Sequence, residues 1–240
     1  MAKKKKMVEI EVDEEEVVEQ PVIKLDLGCG INKAAGFLGV DRRKFDTVDF
    51  VCYDLSTSTW VFDGNVGGVC TKITQNVASE PQDGIILDIQ LVNEGWVLPD
   101  SSVTEVHCSH FLEHLNHNQE DPARVRFMNE LYRVLIPGGK ATIITPHWCS
   151  NRAYGDFTHA DKPVSEMFYY YISKAWRELN APDNDIAWNK NGYKCDFGAT
   201  WGYSIHPDIQ VRHQDTQAFA LQFYKEAALD LHATLIANKN

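Results

Sequence analysis

The sequence has no CxxC pair, no uninterrupted apolar run approaching ~18 residues, and only 23 Lys and Arg against 34 Asp and Glu over 240 residues. Each absence excludes a class. The six cysteines, Cys29, Cys52, Cys70, Cys108, Cys149 and Cys195, lack the paired spacing of a zinc ribbon or a small disulfide scaffold. They read as free thiols of a reducing compartment. The lack of a long apolar run argues against a membrane span. A formal net charge of −11 repels phosphate backbones unless the few cations share one face, so nucleic acid is a disfavoured partner. The lysine run at residues 3–6 is followed by Met7, Val8 and acids, without the apolar core of a signal peptide, and a cytoplasmic location is expected.

What is present is ordinary globular material, with 44% hydrophobic and 24% charged residues, enough to bury a core without staples. Residues 1–20 pair lysines with a dense block of acids and read as a mobile tail. After Pro21 the character changes. Val22, Ile23, Leu25 and Leu27 form a compact apolar run ending at Gly28, as a buried parallel strand does. Further strands are expected at 37–40, 48–53, 103–108 and 141–145, and later near 200–205 and 227–237. Val125, Met128, Leu131, Tyr132 and Leu135 recur at helical spacing before Pro137, Gly138 and Gly139, an α/β crossover ahead of a strand. A mixed aromatic helix is expected over 165–179. Residues 56–96 are less regular, and β-rich stretches at 69–74 and 85–92 suggest a hairpin-like insertion within a single domain spanning 21–240.

The chemistry-bearing stretch is Lys24-Leu25-Asp26-Leu27-Gly28-Cys29-Gly30. Glycines in a strand-ending turn admit positive φ and let a ligand lie against bare backbone, outside the carboxyl ends of parallel strands. Asp41 ends the next strand, where a carboxylate can accept both ribose hydroxyls. Asp54 ends the third, where it can accept from an exocyclic amine. One acid after a strand is solvated punctuation; acids after three successive strands around a glycine turn suggest a nucleoside pocket.

With the later blocks Leu98-Pro99-Asp100-Ser101-Ser102-Val103, His107-Cys108-Ser109-His110-Phe111-Leu112-Glu113-His114-Leu115 and Asn129 to Lys140, the sequence resembles the class I S-adenosylmethionine-dependent methyltransferases over residues 22–147. The resemblance implies a Rossmann-like, doubly wound α/β fold with a seven-stranded sheet, mostly parallel with an antiparallel last strand. It implies S-adenosyl-L-methionine as cofactor, with Asp26, Gly28, Cys29 and Gly30 around the methionine end. It places Asp41 at the ribose, Asp54 and Leu55 at the adenine, and His110 and Phe111 beside the methionine part. Two departures stand out. Lys33 occupies the third-glycine place of a dinucleotide fingerprint, and Asp41 follows Gly30 too closely for a full helix, since the usual gap is ~20 residues.

His107, His110, His114 and His117 crowd around Glu113, with His147 and His159 beyond the next strand. The cluster offers a general base for an acceptor hydroxyl or a metal site, against the plainer reading of packing after a strand. His110, Glu113, His114 and His147 are taken as catalytic candidates, and no residue is assigned to a metal. Asp156-Phe157-Thr158-His159 resembles a loop closing over an acceptor. The expected activity is methyl transfer to an oxygen or nitrogen of a small-molecule or glycan acceptor. The alternatives are a catalytically silent nucleoside-binding module or a nicotinamide-dependent oxidoreductase.

Overall fold

The computed structural model of the chain describes residues 22–43, 45–52, 60–62, 96, 98–118, 122–184 and 192–239. The elements run β1 (Lys24–Leu27), β2 (Leu38–Asp41), β3 (Phe50–Cys52), β4 (Trp60–Phe62), β5 (Val103–Ser109), α1 (Ala123–Val134) and β6 (Leu135–Pro146). They continue with α2 (Arg152–Gly155), α3 (Glu166–Tyr171), α4 (Lys174–Asn180), β7 (Phe197–Ile205), α5 (Pro207–Gln210), α6 (Gln214–Phe223) and β8 (Ala228–Ala237). The strands form one sheet in the order β4-β3-β2-β1-β5-β6-β8-β7. Its centre, from β3 to β6, is parallel. β8 runs antiparallel between β6 and β7, as the last strand was expected to. The sheet has eight strands among the described residues, a correction to the expected seven. The additional β4 adds antiparallel to the outer edge of β3, where an unpaired ladder can accept a neighbour.

The core follows the apolar pattern. Leu25, Leu27, Val40, Val103, Val106 and Cys108 are buried along the parallel strands, consistent with a sheet covered on both faces. Val125, Met128, Leu131 and Val134 turn the buried stripe of α1 onto it. α1 stops where Leu135 adopts extended geometry, so β6 begins directly and runs through Pro137, Gly138 and Gly139, which the sequence marks as a turn. On the exposed side of α1, Arg133 donates to the carbonyls of Trp96 and Leu98 at 2.8 Å each and to Asp100 at 2.6 Å. This ties the approach to β5 against the helix.

Between β1 and β2 no helix forms; residues 28–37 are turns and open loop. The short gap to Asp41, expected to rule out a full helix, holds no helical turn. The link is instead closed by backbone bonds, with Gly28 N and Cys29 N donating to Val40 O at 2.7 and 3.2 Å. The aromatic helix expected over 165–179 is two helices, α3 and α4, separated where Ser173 turns extended and its hydroxyl accepts from Trp176 N. Residues 206–223, not assigned from the sequence, form α5 and α6. The charged tail, the β-rich stretches at 69–74 and 85–92, Asp54 and Leu55 lie outside the described residues.

Candidate active site

β1, β2, β5, β6 and β7 all end at the same edge of the sheet, so their following loops meet there. At the β1 tip Gly28 and Gly30 have φ of 71° and 52°, a region costly for side-chain-bearing residues. A Cβ on Gly28 would stand 2.8 Å from the Phe111 Cβ, whereas one on Gly30 would meet nothing within 4 Å. Phe111 is therefore packed onto the bend, and Gly30 borders open space.

The acids around the bend play different parts. Asp26 is 1% exposed. One carboxylate oxygen faces His107 Nδ1 at 2.9 Å and the other accepts from Ala34 N at 2.7 Å. Asp26 thereby braces the loop that follows the glycines. Asp41 is partly exposed and turned toward the bend, accepting from Gly30 N and Arg43 N at 2.9 Å each. Each of its oxygens keeps a second lone pair. Asp49, not singled out by the sequence, accepts from Gly39 N at 2.7 Å and pairs with Lys33 Nζ at 2.8 Å. Lys33, the misfit in a dinucleotide fingerprint, is thus a strut between loops. Thr47 completes the brace by donating to Gly30 O at 2.6 Å. Burial pushes the Cys29 thiol up to about 12, with Asp26 and Asp41 adding to the rise.

At the β5 tip His110 is held at φ 53°, a strained backbone for a side-chain-bearing residue. Its Nδ1 stands 3.4 Å from Glu113 Oε1. Glu113 is 3% exposed, and neither of its oxygens has a hydrogen-bond partner among the described residues. That carboxylate raises the affinity of the imidazole for its proton against the opposing effect of burial. The short turn 112–114 carrying Glu113 is fixed by the buried Arg124, which donates to Leu112 O at 3.1 Å and Glu113 O at 3.3 Å. Burial lowers the Arg124 guanidinium to about 10, with Glu113 opposing the drop.

The remaining histidines divide. His114 is exposed, with Nδ1 3.1 Å from Thr158 Oγ1, and its ring meets that of His159 edge-on. Glu113, His114 and His159 bring a carboxylate oxygen and two ring nitrogens within 4.8 Å of one another, a spacing that a divalent cation can bridge. His117 is driven down to about 4 by burial and by Arg124, and packs on Phe168. His147 is 2% exposed, and both ring nitrogens face protein groups, Cys149 and Glu166. Both nitrogens of His147 are thus engaged within the protein.

The carboxyl edge of a mostly parallel α/β sheet thus carries a glycine bend, an acid at the neighbouring tip and a histidine–carboxylate pair one strand over. Residues 25–143 match the model of a methyltransferase domain, and the chain belongs to the class I S-adenosylmethionine-dependent methyltransferases, with S-adenosylmethionine as its cofactor. The oxidoreductase alternative is thereby set aside. None of the curated proteins compared matches the sequence. Similar solved structures include a SAM-dependent methyltransferase from Archaeoglobus fulgidus, at 15% identity and TM-score 0.44, covering 90% of this chain and 87% of that one. Another is an S-adenosylmethionine-dependent methyltransferase from Mesorhizobium loti, at 13% identity and TM-score 0.39, covering 90% of each chain. A third is phosphoethanolamine N-methyltransferase 2 from Haemonchus contortus, at 14% identity and TM-score 0.36, covering 91% of this chain and 49% of that one. Among the described residues no helix is long and apolar enough to cross a membrane.

Proposed function

We propose that the chain methylates an oxygen or nitrogen of a small-molecule or glycan acceptor, with His110 as the base that receives the acceptor's proton. The observation that carries this reading is the His110–Glu113 pair, a strained histidine at a strand tip backed by a buried carboxylate. Glu113 faces Nδ1, which leaves Nε2 for the acceptor, and its charge stabilises the imidazolium formed as the proton arrives. The bound cofactor supplies a methyl group on a positively charged sulfur, already a good leaving group. What the chain must add is placement of the acceptor in line at near-attack distance.

In this reading the bare backbone at Gly28 and Gly30 receives the methionine end. Cys29 lies between them, and Phe111 walls the bend. Asp41 accepts the ribose hydroxyls with its remaining lone pairs. Asp26 acts through the loop it braces. His114 holds the 156–159 loop, and His147 is left to a separate role. The net charge of −11 supports a small acceptor over a polyanionic one.

The test is a methyl-transfer screen with labelled cofactor across hydroxyl, amine and glycan acceptors, run with wild type and His110→Gln. The reading expects turnover by the wild type and a loss of about 10²- to 10⁴-fold in the variant, with S-adenosylhomocysteine affinity retained in calorimetry. Equal turnover in the variant would remove His110 as the base. Cofactor binding without transfer across all acceptor classes would favour a silent binding module.

A further inference from the structure

The loop after β6 assembles a second cluster that methyl transfer does not use. His147 Nδ1 lies 2.9 Å from Cys149 Sγ, and its Nε2 lies 2.9 Å from Glu166 Oε1 at the start of α3. Tyr203 of β7 donates to the same Glu166 oxygen at 2.8 Å. Burial alone would push the Glu166 carboxyl up; the hydrogen bonds from His147, from its own backbone N–H and from Tyr203 outweigh it and hold the group at about 2. A carboxylate that stays ionised accepts only. The imidazole therefore carries its hydrogen on Nε2 and turns the Nδ1 lone pair to the thiol.

We propose that Cys149, His147 and Glu166 form a nucleophile–base–orienter triad, making Cys149 a covalent modification site for small soft electrophiles. The pattern is that of an activated thiol: a nucleophile in contact with a base, and the base fixed by a third group. Cys149 also lines a groove of about 450 Å³ with Trp148, Tyr154, Phe223, Tyr224 and Lys225. Aromatic faces beside a lysine suit a flat, apolar electrophile, neutral or carrying an anionic group.

The other described cysteines supply the contrast. Burial pushes Cys29 and Cys195 up to about 12 and Cys108 well above its ordinary value. All four thiols are buried, and Cys29, Cys195 and Cys149 each reach a backbone carbonyl; among the described residues only Cys149 also has an imidazole in hydrogen-bond contact. Three thiols are thus held protonated, while the fourth has a base beside it and a groove in front of it.

Iodoacetamide is a suitable probe. As the S–C bond forms, the C–I bond breaks, iodide leaves, and the thiol proton passes to His147 Nδ1. The full-length protein is treated with limiting reagent near neutral pH, and each cysteine's modification is followed over time by peptide mass mapping. Cys149 is expected to react at least about tenfold faster than Cys29, Cys108 and Cys195. Glu166→Gln is expected to slow Cys149 by about tenfold and Tyr203→Phe by a smaller factor, with the Cys29 rate unchanged in both. Should Glu166→Gln unfold the chain, Cys29, Cys108 and Cys195 would all become fast, and the milder Tyr203→Phe variant with the wild-type ratio decides. Labelling of Cys149 no faster than Cys29, or a Cys149 rate indifferent to both substitutions, would overturn the assignment.

Discussion

The carboxyl edge of the sheet has two dissimilar ends. Around β1 and β2 the loops are thin, glycine-bearing and cross-braced: Asp26, Asp49, Thr47 and Lys33 bond to neighbouring loops and leave Gly30 bare beside Asp41. Around β6 and β8 the loops are longer and carry large side chains, and Trp148, Tyr154, Phe219, Phe223 and Tyr224 are exposed. The first end fixes a backbone shape, as the proposed cofactor contact requires. The second presents replaceable side chains, as a surface that sets specificity does. His110 stands between them, sensing Glu113 on one side and Asp230 and Arg152 on the other.

Substitutions can break this comparison in order of expected effect. Leu27→Ala, at a fully buried position just before the bend, should cost about 2–5 kcal/mol of stability by denaturant unfolding. A smaller loss would mean that the braced end is looser than its bonds suggest. Gly28→Ala forces φ 71° on a residue whose Cβ would lie 2.8 Å from Phe111. It should lower S-adenosylhomocysteine affinity by about tenfold or more and stability by about 1–2 kcal/mol; unchanged binding would contradict the close approach.

Acid sharpens the comparison at the other end. Glu166 is depressed in the folded chain from 4.5 to about 2. Its contribution is thus present above the unfolded value and is lost as pH falls from 4.5 through about 2. The thermal midpoint of Glu166→Gln should fall less steeply than that of wild type across this window. Parallel curves would show that the His147–Glu166–Tyr203 network does not hold the fold. The smallest effect is expected from Trp148→Ala, with stability within about 0.5 kcal/mol of wild type and any change confined to acceptor KM. A large stability loss would place the aromatic end in the core.

How much of this was legible in the sequence follows the same division. β1, β2, β5, α1 and β8 are visible because buried parallel strands and an amphipathic helix have their own apolar periods, and the glycine bend because its chemistry is local. Seven strands are legible, the eighth is not: β4 is a three-residue edge strand, too short to carry a period. α5 and α6 escape because their N-terminal residues, His206 and His213, accept from Asp208 N and Asp215 N through a ring nitrogen, outside the usual Ser, Thr, Asp and Asn signals. The candidate site shows the same limit. Gly28, Gly30, Asp41 and His110 follow from strand-tip position alone, whereas Asp49, Glu166 and Tyr203 acquire their parts only when distant segments meet. The orientation of Asp26 likewise depends on His107, a partner 81 positions away.

The proposed function requires a nucleoside across the glycine bend with Asp41 accepting its ribose. Calorimetric titration of S-adenosylhomocysteine into wild type and Asp41→Ala tests it most directly. A lost pair of hydrogen bonds to a charged acceptor, at about 1.5–3 kcal/mol each, predicts an affinity drop of at least about a hundredfold, while Trp148→Ala binds as wild type does. Equal affinity in Asp41→Ala and wild type would mean that no ribose rests on Asp41.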